Sequence, residues 1–393
     1  MLIGADHAGL RYCGRIDFED AKAPVFLYAG SHVCLRFSGS SIGVSLSNHR
    51  SYASNYIGYV LDGVQGKILL EDDVHGADGA FHQEDALPHG ADGAFHQEDV
   101  LPHGADEAFC RQGSGNGIRT YCLGEGLAKG EHELLLFKRM DACHYFTLHG
   151  FELEEGGRVL PPPPMQRRRM EVFGDSVSCG EVSEAVAYVG KEDPEHDGEF
   201  SNSWYSYSWI TARKLGAQLH LTSQGGAALL DGTGWFCGPD FVGMESIFDK
   251  LQYNPQLGAV KNWDFENWKP HVAVVAIGQN DSNPEDYMAK DYYGEKAENW
   301  RNRYRVFVER LMGLYPKARF VLTTTILCHD PAWDRAIGQV CREIGSGRVH
   351  HFLYEKNGCG TPGHVRIPEA EKMAEELAAY VTSLGEGIWE DET

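Results

Sequence analysis

Residues Glu171-Val172-Phe173-Gly174-Asp175-Ser176-Val177-Ser178-Cys179-Gly180 decide how the chain reads. Branched and aromatic side chains run into a glycine, an acid and a serine, and a second glycine closes the segment. The pattern predicts a buried strand ending in a tight turn that presents Ser176 at the C-terminal edge of a sheet. Ligands bind at that edge in open α/β folds. A serine there is a candidate nucleophile once a base and an oxyanion site accompany it. Taken alone, Gly-Asp-Ser is also ordinary turn composition.

Downstream of this segment, strand and helix patterns alternate. Apolar strand runs are expected at Met170–Phe173, Gln218–Thr222, Val272–Ile277, Arg319–Thr325 and Val349–Leu353, with helices around Tyr205–Leu215, Asn299–Leu314 and Ala332–Ile344. Ile367, Ala370, Met373, Ala374, Leu377, Ala378, Val381 and Leu384 trace one apolar stripe at helical spacing. Such alternation predicts a parallel sheet with helices on both faces. Upstream, the periods differ. Val25–Tyr28, Val33–Phe37, Ile42–Leu46, Lys67–Leu70 and Glu133–Phe137 are short runs bounded by turn residues, many with apolar–polar alternation. They predict an antiparallel β-sandwich. Leu160-Pro161-Pro162-Pro163-Pro164 and Arg167-Arg168-Arg169 separate the two patterns, and a proline run is extended and semi-rigid. The expected domains are a sandwich over 1–160, a linker over 161–169 and an α/β domain over 170–393.

The sandwich region contains a tandem duplication at about 72–109. His75–Pro88 recurs almost unchanged from His89 to Pro102, so His75, His82, His89, His96 and His103 fall at every seventh position among acids. A duplicated surface loop is the reading adopted; a metal-binding or pH-responsive segment is the alternative.

Composition limits the function classes. A chain of 393 residues, 42% hydrophobic and 23% charged, is that of a globular protein with an ample core. A net charge of −22 argues against nucleic acid or anionic membrane as partner. The first twenty residues lack a continuous apolar run, and no spanning segment is expected. Ten irregularly spaced cysteines without a C-x-x-C pair read as free thiols in a cytoplasmic protein without a metal or other cofactor.

Three further blocks complete a constellation with Ser176. Leu221-Thr222-Ser223-Gln224-Gly225-Gly226 and Val274-Val275-Ala276-Ile277-Gly278-Gln279-Asn280-Asp281 are strand-to-loop edges. Gly358-Cys359-Gly360-Thr361-Pro362-Gly363-His364 sets an imidazole just before the last helix. In this order the four blocks resemble the SGNH hydrolases, serine esterases of three-layer α/β (flavodoxin-like) fold. The β-rich first half, the proline run, Gly-Asp-Ser-x-x-Cys-Gly, Trp263-Asp264-Phe265 with Trp268-Lys269-Pro270, and Gly-Cys before the histidine extend the likeness. With them the chain resembles carbohydrate esterase family two, in which a jelly-roll β-sandwich precedes an SGNH domain that deacetylates hemicellulose sugars.

That resemblance implies roles. Ser176 would be the nucleophile and His364 its general base and acid. The N–H groups of Ser176 and Gly226 and the Asn280 amide would form the oxyanion hole, with Gly225 as a fallback donor. Asp175 is expected to brace the turn. Trp235 could stack on a sugar ring or close a core edge. Cys179 and Cys359 are expected to be buried packing residues. One position departs from the superfamily pattern: the Asp usually found two or three residues before the histidine is replaced by Pro362 and Thr361. A backbone carbonyl accepting the Nδ1–H, giving a Ser-His dyad, is the expectation; Asp330, Asp334 or Glu355 is the alternative. The expected partner is an acetylated mannan or xylan oligosaccharide, with the subunit number left open. The competing readings are a lipid or thioester hydrolase on the same fold and a carbohydrate-binding protein without catalysis.

Overall fold

The computed structural model describes residues 1–72, 110–111 and 117–390. The His-rich repeat from 75 to 103 lies outside the described residues. The first half folds as two antiparallel sheets facing each other. In one, the strand order is Ile16–Asp17, Val25–Phe26, His144–Leu153, Ile42–Arg50, Arg119–Gly124 and Cys110–Arg111, with Leu2–Gly4 also pairing to His144–Leu153. In the other it is Arg158–Leu160, His32–Ser38, Glu131–Lys138, Tyr56–Leu61 and Val64–Leu69, with Leu10–Cys13 also pairing to His32–Ser38.

Period-2 alternation explains why these sheets stack. Along His32–Ser38 the residues Val33, Leu35 and Phe37 are buried while their neighbours are half-buried. They meet Val44, Phe146, Leu148 and Phe151 from the opposite sheet in one core. Each large apolar side chain fully buried this way contributes roughly 1.5–3 kcal/mol. The run Val25–Tyr28 was longer than the strand it forms, Val25–Phe26. Leu27 and Tyr28 turn instead into the core of the α/β half.

The second half is a five-stranded parallel sheet in the order Ala217–Ser223, Arg168–Gly174, Val272–Ala276, Arg319–Thr323 and Val349–His351. The helices Tyr207–Leu215 and Ile367–Ser383 pack with one core, and Glu295–Leu314 and Pro331–Ile344 with another. Val272–Ala276 is completely buried, the continuous apolar run expected of a strand covered on both faces. Because the second strand lies on one side of the first and the third on the other, the strand order reverses beside Ser176. The loops bearing Ser176, Gly226 and Asn280 leave three adjacent strands at that switch point, where a crevice opens.

The halves are joined by buried polar contacts. Arg15, from the sandwich, donates to Glu171 on the Ser176 strand at 2.8 Å, and both side chains are fully buried. Glu171 also accepts from Thr222 at 2.7 Å and Tyr315 at 2.6 Å, and Arg15 reaches the Phe248 carbonyl at 2.6 Å. The rings of Tyr28, Phe173, Trp263 and Phe265 surround its guanidinium. Trp263 and Phe265 of the tryptophan-rich block are thus packing residues, and Trp268 stacks on His220 at 3.6 Å. No disulfide forms among the described residues. No helix among them is long and apolar enough to cross a membrane.

Candidate active site

The strand Arg168–Gly174 ends as the quoted stretch predicts. Asp175 is fully buried and caps the one-turn helix Ser176–Cys179, its Oδ1 accepting from the Val177 N–H at 3.1 Å. Gly180 closes that turn at φ 79°, donating to the carbonyls of Ser176 and Val177; an L side chain at such a φ is strained. Burial, offset in part by the Gln279 and Val177 donors, pushes the Asp175 carboxyl up to about 6. Asp175 therefore braces the turn, its Oδ2 accepting from Gln279 at 2.7 Å and from Asn280 at 3.1 Å.

The Ser176 hydroxyl donates to His364 Nε2 at 2.7 Å. Behind the ring, Nδ1–H of His364 donates to Asp193 Oδ2 at 2.5 Å, and the backbone N–H of His364 donates to Asp193 Oδ1 at 2.8 Å. An imidazole proton held on Nδ1 leaves Nε2 as the acceptor that a serine needs. The expected dyad with a backbone carbonyl is therefore corrected: an acid is present. It is none of the three considered. Asp330 caps the helix Pro331–Ile344, Asp334 bonds Thr324 and His329, and Glu355 pairs with Lys372 on the surface.

Asp193 is itself held from three sides. Arg366, fully buried, donates to its Oδ1 at 2.6 Å, and His196 Nε2 approaches its Oδ2 at 3.2 Å. Burial disfavours the Asp193 charge, but the bonds from His196, His364 and Arg366 outweigh it and hold the carboxyl well below the usual range. A Cβ at Gly363 would stand 2.6 Å from Asp193 Oδ1, so the residue before the histidine has to be glycine for the carboxylate to reach it. The sandwich anchors the loop in turn. Arg139 donates to the Ser201 carbonyl at 2.9 Å, the Glu199 carbonyl at 3.0 Å and Glu184 at 2.5 Å.

The oxyanion candidates converge on the same edge. The Ser176 N–H belongs to a first helical turn, which has no intrahelical acceptor. Gly226 adopts φ 73°, and a Cβ there would lie 2.8 Å from the Trp235 Cβ. Gly225 is excluded as the fallback, because its N–H donates to Asp141 Oδ2 at 3.0 Å. Asp141 is a sandwich residue, also accepting from Gln224 at 2.6 Å, so the first domain orders the glycine turn of the second. The Asn280 amide reaches Asp175 Oδ2 and the Ala227 carbonyl, each at 3.1 Å. An oxyanion would exchange with one of these long contacts as substrate binds.

Trp235 donates its N–H to the Gly226 carbonyl at 2.8 Å and leaves its side chain 50% exposed, so it closes no core edge. Cys179 is buried as expected, whereas Cys359 is exposed, its Sγ–H donating to the Lys356 carbonyl at 3.6 Å. Among the described residues, Asp193, His196 and His364 have ligand atoms within 4.8 Å of one another. Their hydrogen bonds to one another, and the Arg366 cation on Asp193, already occupy the atoms a metal would use.

A sandwich followed by an α/β domain, with Ser176, His364 and Asp193 in hydrogen-bonded series at the sheet edge, is a two-domain arrangement of SGNH type. The comparisons narrow the class. The family model "Carbohydrate esterase 2 N-terminal" matches residues 12–85 and 110–163. An acetylxylan esterase / glucomannan deacetylase from Cellvibrio japonicus is 30% identical over 260 residues, 65% of this chain and 68% of that protein. The cellulase/esterase CelE of Acetivibrio thermocellus is 24% identical over 387 residues, 96% of this chain but 39% of its own length. The chain thus spans about two-fifths of that relative. Among solved structures, a family two carbohydrate esterase from Cellvibrio japonicus superposes with TM-score 0.71 at 22% identity, covering 98% of this chain and 97% of that one. One from Clostridium thermocellum in complex with cellohexaose gives 0.70 at 22% identity, covering 96% and 99%. The chain belongs to carbohydrate esterase family two.

Proposed function

We propose that the protein is a carbohydrate O-acetyl esterase that deacetylates hemicellulose-derived oligosaccharides, acetylated mannan or xylan fragments, through an acetyl-serine intermediate. The observation that carries this reading is the series Ser176 Oγ–His364 Nε2 at 2.7 Å and His364 Nδ1–Asp193 at 2.5 Å. Ser176 Oγ attacks the acetyl carbonyl carbon as its proton passes to His364 Nε2. The C–O bond to the sugar then breaks, and the imidazolium returns the proton to the departing sugar oxygen. Water, deprotonated by the same nitrogen, attacks the acetyl-serine carbonyl, and acetate leaves as Ser176 regains its proton. The carbonyl oxygen, negative in each tetrahedral species, faces the N–H groups of Ser176 and Gly226 and the Asn280 amide. Trp235, half exposed beside Gly226, offers an aromatic face for a sugar ring. The names of the family relatives support the substrate class.

Acetate release from acetylated xylo- and manno-oligosaccharides tests the proposal, measured enzymatically alongside lipid esters and acyl-thioesters of longer chain. Release from the sugars is expected. No release, or faster turnover of the long-chain esters, rejects it. Asn280→Ala is expected to lower kcat by about 10²–10³, with KM changed little, because one oxyanion donor is lost. Steady-state kinetics on the same substrates check this.

A further inference from the structure

Glu181 and His196 lie outside the hydrogen-bonded series and bracket it. Glu181 follows the nucleophile turn, its N–H donating to the Ser176 carbonyl at 3.1 Å. One carboxylate oxygen receives His196 Nδ1 at 2.7 Å, and the other stands 3.8 Å from His364 Nε2. The second nitrogen of His196 approaches Asp193 at 3.2 Å, and its ring meets the His364 ring edge-on at 5.3 Å. His364 is thus flanked by a carboxylate at each nitrogen, and one imidazole spans both carboxylates.

We propose that Glu181 and His196 act as a pair of positioning residues that set the proton affinity of His364, Glu181 raising it and His196 lowering it. The proposal rests on the reading of Ser176 and His364 as the reacting couple. Charge geometry carries it. Glu181 lies close enough to Nε2 to favour the imidazolium formed when Ser176 gives up its proton, yet too far to take the hydrogen bond from Ser176. His196, bonded to two carboxylates, is favoured in its cationic form. Burial works against its proton, but the bonds to Asp193 and Glu181 prevail and move it up to about 10. Without that cation, Asp193 and Glu181 would repel each other across His364. Burial likewise lowers the proton affinity of His364, Glu181 and Asp193 raise it, and His196 opposes them; the balance lies above the ordinary histidine value.

The other groups facing this cluster have partners of their own. Arg366 sits on Asp193, and Glu369 accepts the Arg366 N–H. Asp175 lies beneath the nucleophile turn. From the sandwich come Asp141, held by the Gln224 and Gly225 donors, Lys138, bonded to the carbonyls of Met140 and Asp141, Arg139 on Glu184, and Tyr52 at the crevice wall. His144 is buried and pushed down to about 3 by burial and by Lys138, so it stays neutral near pH 6–7.

The test is a pair of single substitutions that displace one titration in opposite directions. The acid limb of kcat/KM reports His364 in the free enzyme. Glu181→Gln is expected to move it down by about one pH unit, His196→Gln up by about half to one unit, and the double variant to within about half a unit of the parent. An NMR titration of the isotopically labelled His364 ring, run on the same full-length proteins, reads the same group without any substrate. The roles of Glu181 and His196 are therefore decided even if the parent hydrolyses no acetyl ester. Displacements in the same direction, or none above about 0.2 unit, overturn the proposal. If His196→Gln does not fold, Glu181→Gln decides alone, and an unmoved His364 titration in that variant rejects the proposal.

Discussion

Ser176→Ala is expected to lower kcat for acetyl release by about 10⁶ and Asp193→Asn by about 10⁴, while Asp330→Asn, Asp334→Asn and Glu355→Gln stay within about threefold of the parent. The serine loss removes the nucleophile, and residual turnover then comes only from binding and the oxyanion donors. The Asp193 loss acts through the imidazole. An amide at that position still fits between Arg366 and the His364 backbone, but its NH₂ can face Nδ1 and force the proton onto Nε2. The ring then points a donor at Ser176 Oγ, and the hydroxyl has no acceptor. Steady-state kinetics on an acetylated oligosaccharide measure all five variants. A drop of less than about tenfold in Asp193→Asn would mean that the carboxylate is not needed to orient the base. Circular dichroism of Ser176→Ala, which removes one hydroxyl at the end of the sheet, should match the parent.

The largest stability effect is expected at Arg15. Arg15→Met leaves Glu171 buried without its counter-ion, keeping only the hydroxyls of Thr222 and Tyr315. Breaking a buried pair by removing one partner costs about 3–5 kcal/mol. In a chain of this size that lowers Tm by roughly 4–6 °C. Arg15→Met with Glu171→Gln should recover much of the loss, because the stranded charge is gone and the hydroxyls can still bond an amide. Denaturant melts of the three proteins check the order. An Arg15→Met protein as stable as the parent would show that water reaches Glu171.

Much of this architecture is legible in the residues. The apolar runs at Val272–Ala276 and Arg319–Thr323 are continuous because both faces of a parallel strand are covered. The last helix carries its stripe openly. The sandwich is harder to read. His144–Leu153 forms the longest strand of its sheet, but a register shift between Leu148 and Gly150 breaks the alternation in mid-run. Tyr56–Leu61 and Arg119–Gly124 mix glycines and polar residues into positions that pairing, rather than local pattern, holds extended.

Ser176, Gly226, Asn280 and His364 could be found because each follows a strand or precedes a helix. Asp193 could not. It lies in Lys191-Glu192-Asp193-Pro194-Glu195-His196-Asp197, an acidic stretch without periodicity that reads as a solvated loop. What selects Asp193 among its acidic neighbours is Arg366, more than 170 residues away in the chain. The one local trace is His196, a single imidazole among four acids.

The contacts that Arg139 and Asp141 make across the domain boundary govern where this chain can be recombined. A crossover placed in the proline linker looks safe, because it cuts between two folded units. It would nonetheless separate Arg139 from the loop that delivers Asp193, and Asp141 from the turn that presents Gly226. A chimaera bearing a foreign sandwich would inherit the serine and the histidine but not the means of aligning them. In this chain the sandwich and the α/β domain are therefore one structural unit, and a junction that keeps the site aligned lies outside the pair.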